Sequence, residues 1–151
     1  MKITFYIIIL FTFLSCGKSP LFNHQDEADK PNQNGINFVS SMQLKNLNKF
    51  IKISWVNTPS GDPSIENEFI ILVQNGSGEL VDLDADATFS IWGWMPSMGH
   101  GTADDGHTTR LSKGIYHHRE LFFNMGGDWQ IHLDILQFGI IIDSTETSLS
   151  L

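Results

Sequence analysis

From Ile36 onward, hydrophobic and polar residues alternate with a period of two. Ile51, Ile53 and Trp55 alternate with Lys52 and Ser54. Ala85, Ala87, Phe89 and Ile91 alternate with Asp84, Asp86, Thr88 and Ser90, and Trp129, Ile131, Leu133 and Ile135 alternate with Asp128, Gln130, His132 and Asp134. Successive strand residues point to opposite faces, so each pattern describes a strand with one buried face. Glu68 to Val73 is a nearly unbroken apolar run that ends at the turn signal Asn75-Gly76-Ser77-Gly78. Further strands are predicted at 79–83, 107–111, 115–123 and 139–143. No helical period competes over this stretch. Seven or eight short strands in roughly 110 residues predict an all-β fold, an immunoglobulin-like β-sandwich. Its expected core holds Trp55, Phe89, Ile91, Trp129, Ile131, Leu133 and Ile135.

The first residues follow another pattern. After Lys2, Ile3 to Leu14 contains ten apolar side chains in twelve positions. Spanning a bilayer as a helix takes about 20 apolar residues; this run instead has the length of a secretory h-region. The one cysteine of the chain, Cys16, follows directly in Phe13-Leu14-Ser15-Cys16-Gly17. This stretch resembles a bacterial lipoprotein signal. The resemblance implies cleavage before Cys16, lipidation of Cys16, and an extracytoplasmic protein held at the cell envelope, on the periplasmic side, by its lipid. Residues 1–15 are then the signal peptide. Residues 16–35 carry only Leu21, Phe22 and Ala28 as apolar side chains after the cysteine; they bury too little to offset ordering entropy and read as a flexible tether. Residues 36–151 are the folded domain.

Charge and composition narrow the function. The 151-residue chain has 17 acidic and 9 basic residues, net −8. Removal of residues 1–15 takes away Lys2 and no acid, which makes the mature chain net −9. A nucleic-acid partner is disfavoured, because phosphate neutralisation needs a basic face. A single cysteine excludes an intramolecular disulfide framework and a multi-cysteine zinc site. No G-x-S-x-G elbow, H-E-x-x-H pair, P-loop or G-x-G-x-x-G occurs, so the expectation is a non-enzymatic protein.

The most informative segment is Trp92-Gly93-Trp94-Met95-Pro96-Ser97-Met98-Gly99-His100-Gly101. Downstream lie Gly114-Ile115-Tyr116 and Phe123-Asn124-Met125-Gly126-Gly127-Asp128-Trp129. In this order, a strand followed by M-P-x-M-G-H-G, G-x-Y and F-x-M-x-G-x-W resembles the YtkA-like family, related to FixH-type proteins. The resemblance covers about residues 50–136. It implies a small extracytoplasmic β-sandwich, often membrane- or lipid-anchored, in a family linked with copper handling and respiratory oxidase assembly. A cuproprotein or an oxidase assembly factor is the partner class it implies. The Gly126-Gly127 pair makes this chain one residue longer than the tight M-x-G-W form.

Two readings of the loop stand side by side. Thioether sulfur is soft and suits Cu(I), and imidazole suits both copper states and zinc. Met95, Met98 and His100 lie within six residues, with Met125 as a fourth donor; together they are the candidate copper site. A blue-copper centre is excluded, since it needs a thiolate and Cys16 is committed to lipid. In the other reading the loop is a structural plug. Met95 follows the inward phase of its strand, Met98 fills the open end of the sandwich, and His100 bonds loop carbonyls.

The remaining chemistry-bearing residues read as structural. Trp92 and Trp94 share the outward phase, either covered by the N-terminal segment or the 96–106 loop, or exposed to a partner. His117 and His118 are adjacent and point to opposite faces of a strand. His132 is expected in solvent, and Asp104-Asp105 in a solvated loop.

Overall fold

The computed structural model describes residues 41–151. Cys16, the apolar run before it, the tether and residues 36–40 lie outside the described residues. Within them the chain forms nine strands: β1 (Met42–Leu44), β2 (Lys49–Trp55), β3 (Asn67–Gln74), β4 (Ala87–Met95), β5 (His100–Gly101), β6 (Asp104–Ser112), β7 (Ile115–Phe122), β8 (Asp128–Gln137) and β9 (Ile140–Ser150). One sheet has the order β1-β2-β3-β7-β6 and the other β5-β4-β8-β9, and every pairing is antiparallel. The neighbours β2-β3-β7-β6 and β4-β8-β9 reproduce the A-B-E-D and C-F-G sheets of an immunoglobulin sandwich. The all-β, immunoglobulin-like expectation therefore holds.

The core lies where the two inner faces meet. Ile51, Ile53, Phe69, Ile71 and Val73 from the first sheet pack with Ile91, Met95, Trp129, Ile131, Leu133 and Ile135 from the second, all buried. Trp55 and Phe89 are only half-buried and pack on the margin of this cluster. Phe89 lies at the side of the sandwich, where β4 faces a gap toward β6 and its ring meets Tyr116 edge-on at 5.1 Å.

Several element boundaries differ from expectation, each for a local reason. Residues 79–83 form no strand; a single bridge joins Gln74 to Leu80. The connection is instead tied down by side chains. Tyr116 Oη accepts the Leu83 N–H at 3.1 Å. Asp82 accepts the Gly114 N–H at 2.9 Å and a two-pronged contact from the Arg110 guanidinium. That guanidinium, with the Gly114 amide, holds the Asp82 carboxyl down at about 2. The G-x-Y motif is thus a clamp on the β3–β4 connection. Ala85 is exposed and β4 begins only at Ala87, because Asp86 turns the chain with φ +67°. The last strand runs to Ser150 rather than stopping at 143. Asp104 and Asp105 begin β6 instead of lying in a loop. Strands β1 and β5, of three and two residues, show no alternation long enough to read.

Candidate functional site

The M-P-x-M-G-H-G segment is a tight β-hairpin between β4 and β5. Met95 pairs with His100 across it. The Met95 carbonyl accepts the Met98 N–H at 3.2 Å and the Gly99 N–H at 2.8 Å. Gly99 closes the turn at φ +68°, a conformation with little cost only for glycine. Pro96 donates no hydrogen bond and sits where none is needed, at the start of the turn.

This geometry separates the four candidate donors. Met95 is 1% exposed, with its methyl end lying over Gly127, and belongs to the core. Met98, at the tip of the hairpin, is 61% exposed, and Met125, in the β7–β8 loop, is 40% exposed. An exposed tip methionine fills no gap, so the plug reading fits Met95 and not Met98. His100 is half-buried. Its Nδ1 lies 2.9 Å from the Gly101 carbonyl; a carbonyl only accepts, so Nδ1 carries the proton. In the neutral ring, Nε2 is then the nitrogen that carries the free lone pair. A backbone carbonyl that fixes one ring nitrogen is the usual support for a metal-binding histidine.

Trp129 ties the hairpin to the β7–β8 loop. It is buried, its Nε1–H donates to the Met125 carbonyl at 3.2 Å, and its ring meets His100 edge-on at 5.4 Å and Phe123 at 4.8 Å. Gly127 and Leu151 exchange two backbone hydrogen bonds at 2.9 Å, which pins the far end of the same loop. From the third side comes Gly61: a Cβ there would lie 2.4 Å from the Gly126 nitrogen and 2.6 Å from the Met125 carbonyl carbon and oxygen. Those contacts are backbone, so only glycine fits. The F-x-M-x-G-x-W motif therefore builds a rigid seat: its tryptophan anchors the loop through Met125's carbonyl while the thioether stays accessible. A cleft of about 560 Å³ opens beside the hairpin, lined by Pro96, Ser97, Asp128, Gln130 and Ser148.

Among the described residues, no three His, Cys, Asp or Glu side chains are grouped to hold an ion. The accessible soft donors are the thioethers. Among the described residues, His117, His118 and His132 each have neighbours within the fold, although Nε2 of His118 and of His132 is buried without a hydrogen-bond partner. His117 bonds Glu68 at 2.9 Å, while His118, on the opposite face, is buried with Nδ1 2.9 Å from Thr108 Oγ1. The opposed directions expected for this pair are observed. His132 is not in free solvent: Trp92 stacks on its ring at 3.9 Å and Glu146 lies 3.4 Å from Nδ1. Trp92 also donates Nε1–H to Asp134 at 2.9 Å. Trp92 is thus covered by its cross-strand neighbour. Sequence alternation placed both residues on the outer face, but it carries no signal for a lateral stack.

Three motifs now have physical roles within one sandwich, and the match over residues 56–134, just over half of the chain, decides the family. The chain belongs to the YtkA-like family. No curated protein matches this YtkA-like chain in sequence. Among solved structures it is similar to the crystal structure of the Lin-41 filamin domain, at 18% identity and a TM-score of 0.40, over 74% of this chain and 96% of that one. The immunoglobulin-like assignment of this YtkA-like domain rests on its own strand order.

Proposed function

We propose that this YtkA-like protein is a lipid-anchored, extracytoplasmic, non-enzymatic binding module that takes up copper at the β4–β5 hairpin. The observation that carries the copper reading is the exposure of the Met98 thioether at a turn whose neighbour, His100, has Nδ1 tied to a carbonyl and Nε2 left with its lone pair. Met98, His100 and Met125 are the donors that would hold the ion, with Met95 beneath them in the core. Two thioethers and one imidazole favour Cu(I) over Cu(II), because soft donors suit the reduced ion. A site on a surface hairpin, open on one side, suits transfer to a cuproprotein or an oxidase assembly partner better than permanent storage.

The test is a Cu(I) competition titration of the mature chain against its Met98→Leu and His100→Gln variants. Leucine keeps the size and apolarity of methionine and removes the sulfur. At an exposed turn it should cost well under about 1.5 kcal/mol of stability. The expected result is measurable Cu(I) affinity in the wild type and a loss of tenfold or more in each variant, with melting temperatures nearly unchanged. Wild-type affinity no better than background would end the copper reading. The protein would then be a structural or protein-interaction lipoprotein of the envelope.

The anchor is tested separately. The apolar run ending at Cys16 supports cleavage and acylation there. Mass spectrometry of the membrane fraction should find an N-terminal peptide that begins at an acylated Cys16. An intact Met1 terminus, or an unacylated secreted chain, would refute the anchor and leave the copper question standing.

A further inference from the structure

We infer that the outer edge of β4 is a docking site for an extended, cationic peptide segment of a partner protein, added as an extra strand. Strand β5 pairs only with Trp94 and Met95, and β6 belongs to the other sheet. The Gly93 carbonyl accepts the Thr102 N–H at 3.3 Å, so Gly93 aims its backbone groups toward β5. Backbone direction alternates along a strand. Phe89 and Ile91 therefore point the same way, but β5 has already ended beside them. Among the described residues, neither makes a backbone hydrogen bond on that side. The Ala87 N–H is used locally by the Asp84 carbonyl at 3.0 Å, which leaves the Ala87 C=O, both groups of Phe89 and the Ile91 N–H as an open ladder. An unpaired strand edge is a template for pairing with another chain.

A second observation coincides with the first. A cleft of about 390 Å³ lies against this edge, with Phe89 and Tyr116 as an apolar floor and Thr108 and Arg110 of β6 as the facing wall. Phe89 is half-buried because the cleft opens beside it. An added strand would place every second side chain over Phe89 and Tyr116 and the others toward the rim. Asp82 and Asp84 line the cleft, and the exposed Asp86 directly precedes Ala87, which lines it too. Arg110 pairs with Asp82 and Lys49 with Asp84, while Asp86 has no ion-pair partner among the described residues, on a chain of net charge −8. The complementary occupant is an extended segment with alternating apolar residues and at least one lysine or arginine. This site is distinct from the β4–β5 hairpin and does not depend on copper.

The experiment is selection of a phage-displayed random 12-residue library on the full mature chain, followed by amide hydrogen exchange with the best synthetic peptide. In the free protein, the Phe89 and Ile91 amides should exchange much faster than those of Ser90 and Trp92, which face β8. The selected peptides should alternate apolar and polar residues and include a basic one. Binding should protect Phe89 and Ile91, and Phe89→Pro should weaken it at least tenfold, because proline removes a donor that the fold itself does not use. The melting curve of that variant shows whether it folds; if it does not, exchange on the wild type decides. Slow exchange of Phe89 and Ile91 in the free chain, no binding peptide, protection at another edge, or undiminished binding by folded Phe89→Pro would each overturn the proposal.

Discussion

Trp129→Ala should lower stability by about 3–5 kcal/mol, the range for deleting a buried large aromatic. Trp129 is 1% exposed and sits between Phe123, His100 and the core. A domain of this size has about 5–15 kcal/mol in total, so the variant should melt roughly 10–20 °C lower. The loss has two parts that a second variant separates. Trp129→Phe keeps much of the apolar contact but removes the Nε1–H that holds the Met125 carbonyl. It should cost about 1–2 kcal/mol, the usual penalty for leaving a partly buried acceptor unmet. It should also speed amide exchange in residues 124–127 without affecting β2 and β3. Thermal melts of both variants check this directly. A Trp129→Ala protein that melts within two or three degrees of wild type would mean that the tryptophan does not anchor this end of the sandwich.

The long strands were legible because burial on one face writes a period of two into the sequence. Ile51-Ile53 and Ile131-Leu133-Ile135 are fully buried as that period requires. The short strands were not legible, since two or three residues carry no period. The segment at 79–83 looked like a strand because Leu80, Val81 and Leu83 are apolar. Its local backbone bonds reach only Asn75 and Val73, and what fixes the rest is Tyr116 and Arg110, more than 25 residues away, partners that leave no local trace. Phe89 follows the inward phase yet is half-buried, because alternation reports a face of the sheet and not how far a neighbouring strand extends to cover it.

At the candidate site, the residue types and the inward phase of Met95 were legible, and the exposure of Met98 and Met125 was not. Met95, Met98, His100 and Met125 were all readable as donors from chemistry alone. The hairpin then divides them: an odd offset from the inward phase of β4 would have exposed Met95, and the observed even offset buries it. Met98 stays exposed because the four-residue turn ends before the chain returns to the sheet. Gly61 carried no signal at all. Its role is a close approach to Met125 and Gly126 from a loop more than 60 residues earlier, visible only once the backbones are side by side.

Stability should fall as pH drops from about 6.5 to about 4, and His118 should be the main cause. The ring is 1% exposed, sandwiched against Phe69 at 4.9 Å and bonded to Thr108. Burial pushes its pKa down to about 4; the neighbouring His107 and His117 push in the same direction, and only the Asp105 carbonyl opposes them. In the unfolded chain the same group titrates near 6.5. Between these values the unfolded state takes up a proton that the native state refuses, so acidification favours unfolding. The stabilisation is complete above pH 6.5, declines by up to about 1.4 kcal/mol per pH unit below it, and has lost on the order of 3 kcal/mol once pH passes through the native pKa. The carboxylates act elsewhere on the scale. Asp82, held at about 2, and Asp62, lowered by its hydrogen bonds to Ser64, contribute stability above the ordinary carboxylate range that disappears only at more acidic pH. Urea melts between pH 5 and 7 therefore isolate the histidine. His118→Asn retains a polar atom near the position of Nδ1 and removes the titration. Its absolute stability will be lower, but its dependence on pH in this window should flatten. An unchanged slope in His118→Asn would assign the acid sensitivity to another group and show that His118 is not the residue that takes up the proton on unfolding.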